Sequence, residues 1–77
     1  MVTAIVLIHA NEGMVKQTAQ KLMELEGISE VYPVAGPYDL VAFTRVPENE
    51  QLDDLVTEEM LELDGIQQTM TLVALDS

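Results

Sequence analysis

The sequence predicts an α+β fold in which one strand–helix–strand unit is used twice, and three observations point to it. Apolar, β-branched runs alternate with stretches whose apolar residues recur at the 3.6-residue period of a helix. The chain also matches itself when shifted by 38 residues: Asn11-Glu12 falls on Asn49-Glu50, Met14 on Leu52, and the run from Leu22 to Ile28 on the run from Met60 to Ile66. Between the halves lies a five-residue break, Ala35-Gly36-Pro37-Tyr38-Asp39, flanked by apolar segments and readable only as a hairpin turn. Two such units interleave as a ferredoxin-like βαββαβ sandwich, with antiparallel strand order 4-1-3-2 and both helices on one face.

Taken in order, residues 2 to 8 are apolar or β-branched throughout, the pattern of a central strand covered on both faces. Asn11 stands where an N-cap belongs, with Glu12 in the first turn, and Val15, Ala19, Leu22 and Met23 form one helix face that Gly27 stops. Residues 28 to 34 form the second strand. Pro33 cannot donate to a ladder, so that strand belongs at a sheet edge. Residues 40 to 46 are apolar until Arg45 and form the third, central strand. Asn49 is the second expected N-cap, opening a helix through Leu52, Leu55, Val56, Met60 and Leu63 that ends at Gly65. The last strand runs from 66 to 75, with Thr69, Thr71, Val73 and Leu75 on one face and Met70, Leu72 and Ala74 on the other.

Length and composition narrow the function. With 77 residues there is room for one domain, spanning 1–77, and one modest core. A sheet with both helices on one face leaves its other face bare, while strands one and three offer that face apolar side chains, so self-association through the sheet is expected. Fourteen acidic against three basic residues give a formal charge of −11, which opposes direct contact with nucleic acid. The lack of cysteine removes disulfides, thiolate metal sites and cysteine nucleophiles. The apolar run at 2–8 is too short to span a bilayer and has no basic leader, so a cytoplasmic protein without a membrane partner is expected.

The central turn is the candidate binding site. Gly36 can take a positive φ, Pro37 presets a turn corner, and Asp39 can accept hydrogen bonds from nearby backbone N–H groups. These features make a turn. They also place free N–H groups, a carboxylate and a phenol close together, which suits a small zwitterion. His9, the one histidine, is read as a strand-end residue facing solvent or capping the strand, and cannot by itself supply a multi-histidine metal site. The acidic residues along the second helix, from Glu48 to Glu62, follow a solvated face rather than a calcium loop. No metal, no cofactor and no catalytic residue is expected, because no nucleophile–base pairing or phosphate cradle is visible.

The segment from Gly27 to Leu40, with the strand and helix patterns around it, resembles the RAM domain, the effector-binding half of the Lrp/AsnC transcriptional regulators. Its most diagnostic piece is the Gly-x-x-Asp loop, here Gly36 and Asp39. The resemblance implies a subunit that dimerises through its sheet, dimers that join into rings, commonly octamers, and a free amino acid as effector held between dimers. It implies ligand contacts at Gly36, Tyr38 and Asp39, with Thr71 and Thr69 matching the hydroxyl-bearing part of the last strand. Met1 opens directly onto strand one with no helix-turn-helix region before it, so a stand-alone RAM protein that tunes transcription of amino-acid metabolism by mixing with full-length Lrp/AsnC regulators is expected. Replacing Asp39 by Ala is expected to abolish an amino-acid-induced thermal shift and leave the fold intact.

Three other readings share this outline. A small ferredoxin-like enzyme of the monooxygenase or isomerase type would need a deep cleft lined by His, Tyr, Asn or Arg, in which the chain is poor. An ACT-like regulatory module would bind its ligand at the first strand–helix turn, here Asn11-Glu12-Gly13. A purely structural oligomerisation unit would bind nothing.

Overall fold

A computed structural model describes residues 1–75 of the chain. The elements are β1 (Val2–Ala10), α1 (Val15–Leu22), β2 (Ile28–Pro33), β3 (Leu40–Val46), α2 (Asn49–Asp54) with a π-helical continuation (Leu55–Met60), and β4 (Ile66–Val73). The strands form one antiparallel sheet in the order β2-β3-β1-β4, which is the expected 4-1-3-2 arrangement read from the other edge. Pro33 lies on the edge strand β2, where its missing N–H breaks no ladder.

Side chains alternate across the sheet. Ala4, Val6, Ile8 and Ala10 of β1 join Leu40, Ala42 and Val46 of β3 in one core cluster with Leu22 of α1, Leu52 of α2, and Leu55 and Met60 of the π-helical stretch. Both helices therefore cover the same side of the sheet. The register Thr3↔Arg45, Ile5↔Phe43 and Leu7↔Val41 sends the intervening residues to the other side, and β4 adds Leu72 opposite Ile5 and Met70 opposite Leu7. That side is apolar and uncovered within the chain: Leu72 is 50% exposed, Met70 46% and Tyr32 49%.

The widened turn in the second helix follows from its apolar spacing. Leu55 and Met60 are five residues apart, a step that an α-helix turns to different sides, yet both are fully buried. An i→i+5 turn brings them toward one side. Thr57 Oγ1 donates to the Asp53 carbonyl at 2.6 Å in the same stretch, a side-chain bond that competes with the regular ladder.

Neither expected asparagine cap is used. The residue before α1 is Met14, without a side-chain cap bond, and Asn11 instead donates from Nδ2 to the Asp64 carbonyl (3.0 Å) and from its backbone N–H to the Gly65 carbonyl (2.8 Å). Because β1 runs on to Ala10, Asn11 is still at the strand end, where it ties the first strand–helix turn to the turn before β4. Asn49 lies inside α2, and Glu48 occupies the cap position in extended conformation. Gly27 has the positive φ of +100° expected of a helix stop, although α1 itself closes earlier, at Leu22. Gly65 has no positive φ; a Cβ there would collide with Thr18 Oγ1 and lie 3.2 Å from Thr18 Cβ, so glycine is required by close packing of α1 on the start of β4.

Candidate functional site

The hairpin between β2 and β3 is closed by the Val34 N–H donating to the Asp39 carbonyl at 2.9 Å. Gly36 sits exposed at its tip with φ +138° and open space where a Cβ would be, so the chain reverses there at no steric cost. The paired ladder of β1 and β3 reaches only to Ile8↔Leu40, and beyond it Asp39 takes over. Its N–H donates to the Ile8 carbonyl at 2.9 Å, and its Oδ2 accepts the Ala10 N–H at 2.9 Å. The carboxylate thus stands where the next strand carbonyl would be, satisfying a part-buried donor. Asp39 Oδ1 takes no part in that bond.

Tyr38 folds back over the uncovered side of the sheet. Its ring stacks on His9 with centroids 4.4 Å apart and planes 28° from parallel, and its hydroxyl donates to Met70 Sδ at 3.6 Å. His9 Nδ1 lies 3.8 Å from Asp39 Oδ2, within ion-pair reach but beyond a hydrogen bond. Tyr38, Asp39, His9 and Met70 therefore meet at one end of the sheet, built from the hairpin, β1 and β4. His9 is a packed member of this cluster rather than a strand end in open solvent. The strand pairing of Ile8 with Thr69 and Val6 with Thr71 puts both threonines on the helix-covered side of β4, the opposite side from Tyr38 and Met70. Within one chain the five expected ligand residues do not converge: Tyr38 and Asp39 meet, Gly36 is at the tip, and Thr69 and Thr71 lie behind the strand.

His9 and Met70 carried a signal in the sequence, since Ile5, Leu7 and His9 continue one alternation along β1 and Met70 faces the same side from β4. The Asp39 bond to Ala10 carried none, because it depends on where the ladder stops. At the far edge, Tyr32 packs edge-on against Phe43 at 6.0 Å and donates to Glu30 Oε1 at 2.8 Å. The hydrogen bond to Glu30 and the negative charge of that carboxylate hold the Tyr32 phenol above its ordinary pKa. A concavity of about 320 Å³ opens at the opposite end of the sheet from the hairpin, lined by Glu26, Gly27, Arg45, Val46, Pro47, Gln51, Asp54 and Glu59, and does not reach the Tyr38–Asp39 cluster. Among the described residues no group of three or more His, Cys, Asp or Glu is placed to hold a metal ion, and no helix is long and apolar enough to cross a membrane.

The sequence profile of the Lrp/AsnC ligand binding domain matches residues 3–77. This chain belongs to that family. An HTH-type transcriptional regulator of Pyrococcus furiosus, itself uncharacterised, is 33% identical to this Lrp/AsnC ligand-binding domain over 75 residues, covering 94% of this chain and 50% of the regulator. The domain thus spans about half the length of the curated relative it matches. A crystallised protein of Thermus thermophilus is 44% identical, superimposes with a TM-score of 0.95, and is matched over 100% of this chain and 96% of its own. The fold recurs in a transcriptional regulator of Neisseria meningitidis crystallised in complex with L-Met, at 12% identity and a TM-score of 0.88 over 97% of this chain and 50% of that one. The curated relatives that the chain matches are described as HTH-type transcriptional regulators.

Proposed function

We propose that this Lrp/AsnC ligand-binding domain is a non-catalytic, cytoplasmic regulatory module that binds a free amino acid at the Gly36–Asp39 hairpin and transmits binding through its state of assembly. The observation that carries the reading is the arrangement of Asp39: one carboxylate oxygen is fixed by the Ala10 N–H, which holds the other in a set direction at a half-exposed surface. In this reading Asp39 Oδ1 accepts hydrogen bonds from the ligand ammonium, and backbone N–H groups around Gly36 donate to its carboxylate, both charge-assisted. Tyr38 walls the ligand on one side. Thr69 and Thr71, which lie away from Tyr38 within a chain, enter the site from a neighbouring copy.

The uncovered sheet side supports a dimer, since Ile5, Leu7, Phe43, Met70 and Leu72 together form a contiguous apolar surface. Dimers would then join through their hairpins into a ring such as an octamer, and a ligand touching two dimers would stabilise the ring by its differential affinity. With a formal charge of −11, the module would act on transcription of amino-acid metabolism through full-length Lrp/AsnC regulators rather than by touching DNA. The L-Met complex of the Neisseria regulator and the Thermus chain made almost wholly of this module lend support by likeness. A thermal-shift screen of the twenty common amino acids, read with light scattering, tests the reading. A stabilising amino acid that also changes the assembly mass is expected; no response to any of them would leave a structural oligomerisation unit.

A further inference from the structure

We propose that His9 is a proton-operated gate on the effector site: its imidazolium pairs with the Asp39 carboxylate and competes with the ligand ammonium, so amino-acid affinity falls as the solution becomes acidic. This rests on the reading of the Gly36–Asp39 hairpin as the effector site. Imidazole is the side chain whose unperturbed charge change falls between pH 5 and 8, and here Nδ1 stands 3.8 Å from Asp39 Oδ2. The stack against Tyr38 keeps the ring close to that carboxylate, and the Tyr38–Met70 hydrogen bond keeps Tyr38 in turn on the sheet.

The groups around His9 make the competition specific. From the hairpin, Tyr38 and Asp39 face it; across the ladder on β4 its partner is the uncharged Gln68, with Met70 beyond; and on β1 itself Leu7 shares its side of the sheet. Asp39 is the one charged side chain among these. With the imidazole neutral, Asp39 Oδ1 is free to meet an ammonium. With the imidazole charged, the same carboxylate has a cation already beside it, and a second cation arriving there is repelled. Within a single chain both partners are part-exposed, His9 34% and Asp39 40%, so the coupling there is screened, and a loss of affinity of roughly two- to fivefold is expected.

The test is titration of the full chain with each of the twenty common L-amino acids at pH 7.5 and pH 5.5, in the wild type and in His9→Phe and His9→Gln. His9→Phe keeps a ring on Tyr38 without a charge. The wild type is expected to bind two- to fivefold more weakly at pH 5.5, and each variant to bind equally at the two pH values. Equal affinity in the wild type, or tighter binding in acid, overturns the gate while the effector site stands. No binding at either pH overturns the site and the gate together.

Discussion

Asp39 is expected to carry a structural and a binding role that two substitutions can separate. In Asp39→Ala the Ala10 N–H loses its acceptor at 2.9 Å. An unsatisfied backbone donor costs about 1–3 kcal/mol. Asp39 is 40% exposed, so water can reach the vacated place, and the lower end, about 1 kcal/mol, is expected. For a domain of this size that lowers Tm by roughly 4–8 °C. In Asp39→Asn a neutral amide oxygen can still accept the Ala10 N–H, and only the charge assistance is lost, so the drop should be about half as large or less. At the proposed site the ligand sees a different comparison, because both variants lack the negative charge assigned there to its ammonium. The amino-acid-induced rise in Tm should therefore vanish in both. The structure adds to the expectation drawn from the sequence: Asp39→Ala should keep the fold at somewhat lower stability, and Asn is the cleaner probe. Thermal unfolding at matched protein concentration, with and without ligand, is the assay, since assembly makes Tm depend on concentration. A ligand-induced shift surviving in Asp39→Asn would remove the carboxylate from recognition. An Asp39→Ala variant as stable as the wild type would remove the Ala10 bond from the energetics.

Other perturbations follow from the same geometry. Gly65→Ala should destabilise the chain by about 1–3 kcal/mol by driving a methyl into Thr18, and Gly65→Ala combined with Thr18→Ala should recover part of that loss in a double-mutant cycle by chemical denaturation. Leu72→Glu places a charge on the uncovered side of the sheet beside Ile5, and should shift the mass measured by light scattering toward a single chain at equal concentration. In a Tyr38→Phe background, Glu30→Gln should lower the pH at which Tyr32 ionises, followed by ultraviolet absorbance. Because the folded-state pKa of Tyr32 is raised, its contribution to stability is complete below the ordinary tyrosine value and is lost as pH climbs through the raised one, so Tyr32→Phe should flatten the alkaline limb of a stability profile.

The sheet was legible because its information is periodic. The order of four strands followed from the 38-residue self-match and from Pro33, which excludes β2 from the middle of a sheet. The span of β3 was read to the residue, since Pro47 and the hairpin bound it on both sides. Helix starts were misread where a local rule met a tertiary competitor: Asn11 has the chemistry of a cap, but Asp64 and Gly65 offer its side chain and backbone carbonyl partners across the fold. Gly65 illustrates the same limit, since a helix stop and a close approach both call for glycine and only the neighbouring Thr18 tells them apart. At the proposed site, the hairpin turn itself could be named from turn chemistry. The stack of Tyr38 on His9 could not, because it joins residues 29 positions apart in sequence through the twist of the sheet.

The account stands or falls on what the hairpin meets when an amino acid is bound. The most direct measurement is a crystal structure of the protein grown with the amino acid that gives the largest thermal shift. The ligand should lie against Gly36, Tyr38 and Asp39 with its ammonium beside the carboxylate and a second copy closing the site. Density for the ligand at the Asn11–Gly13 turn instead, or hairpins facing solvent in every copy, would contradict it.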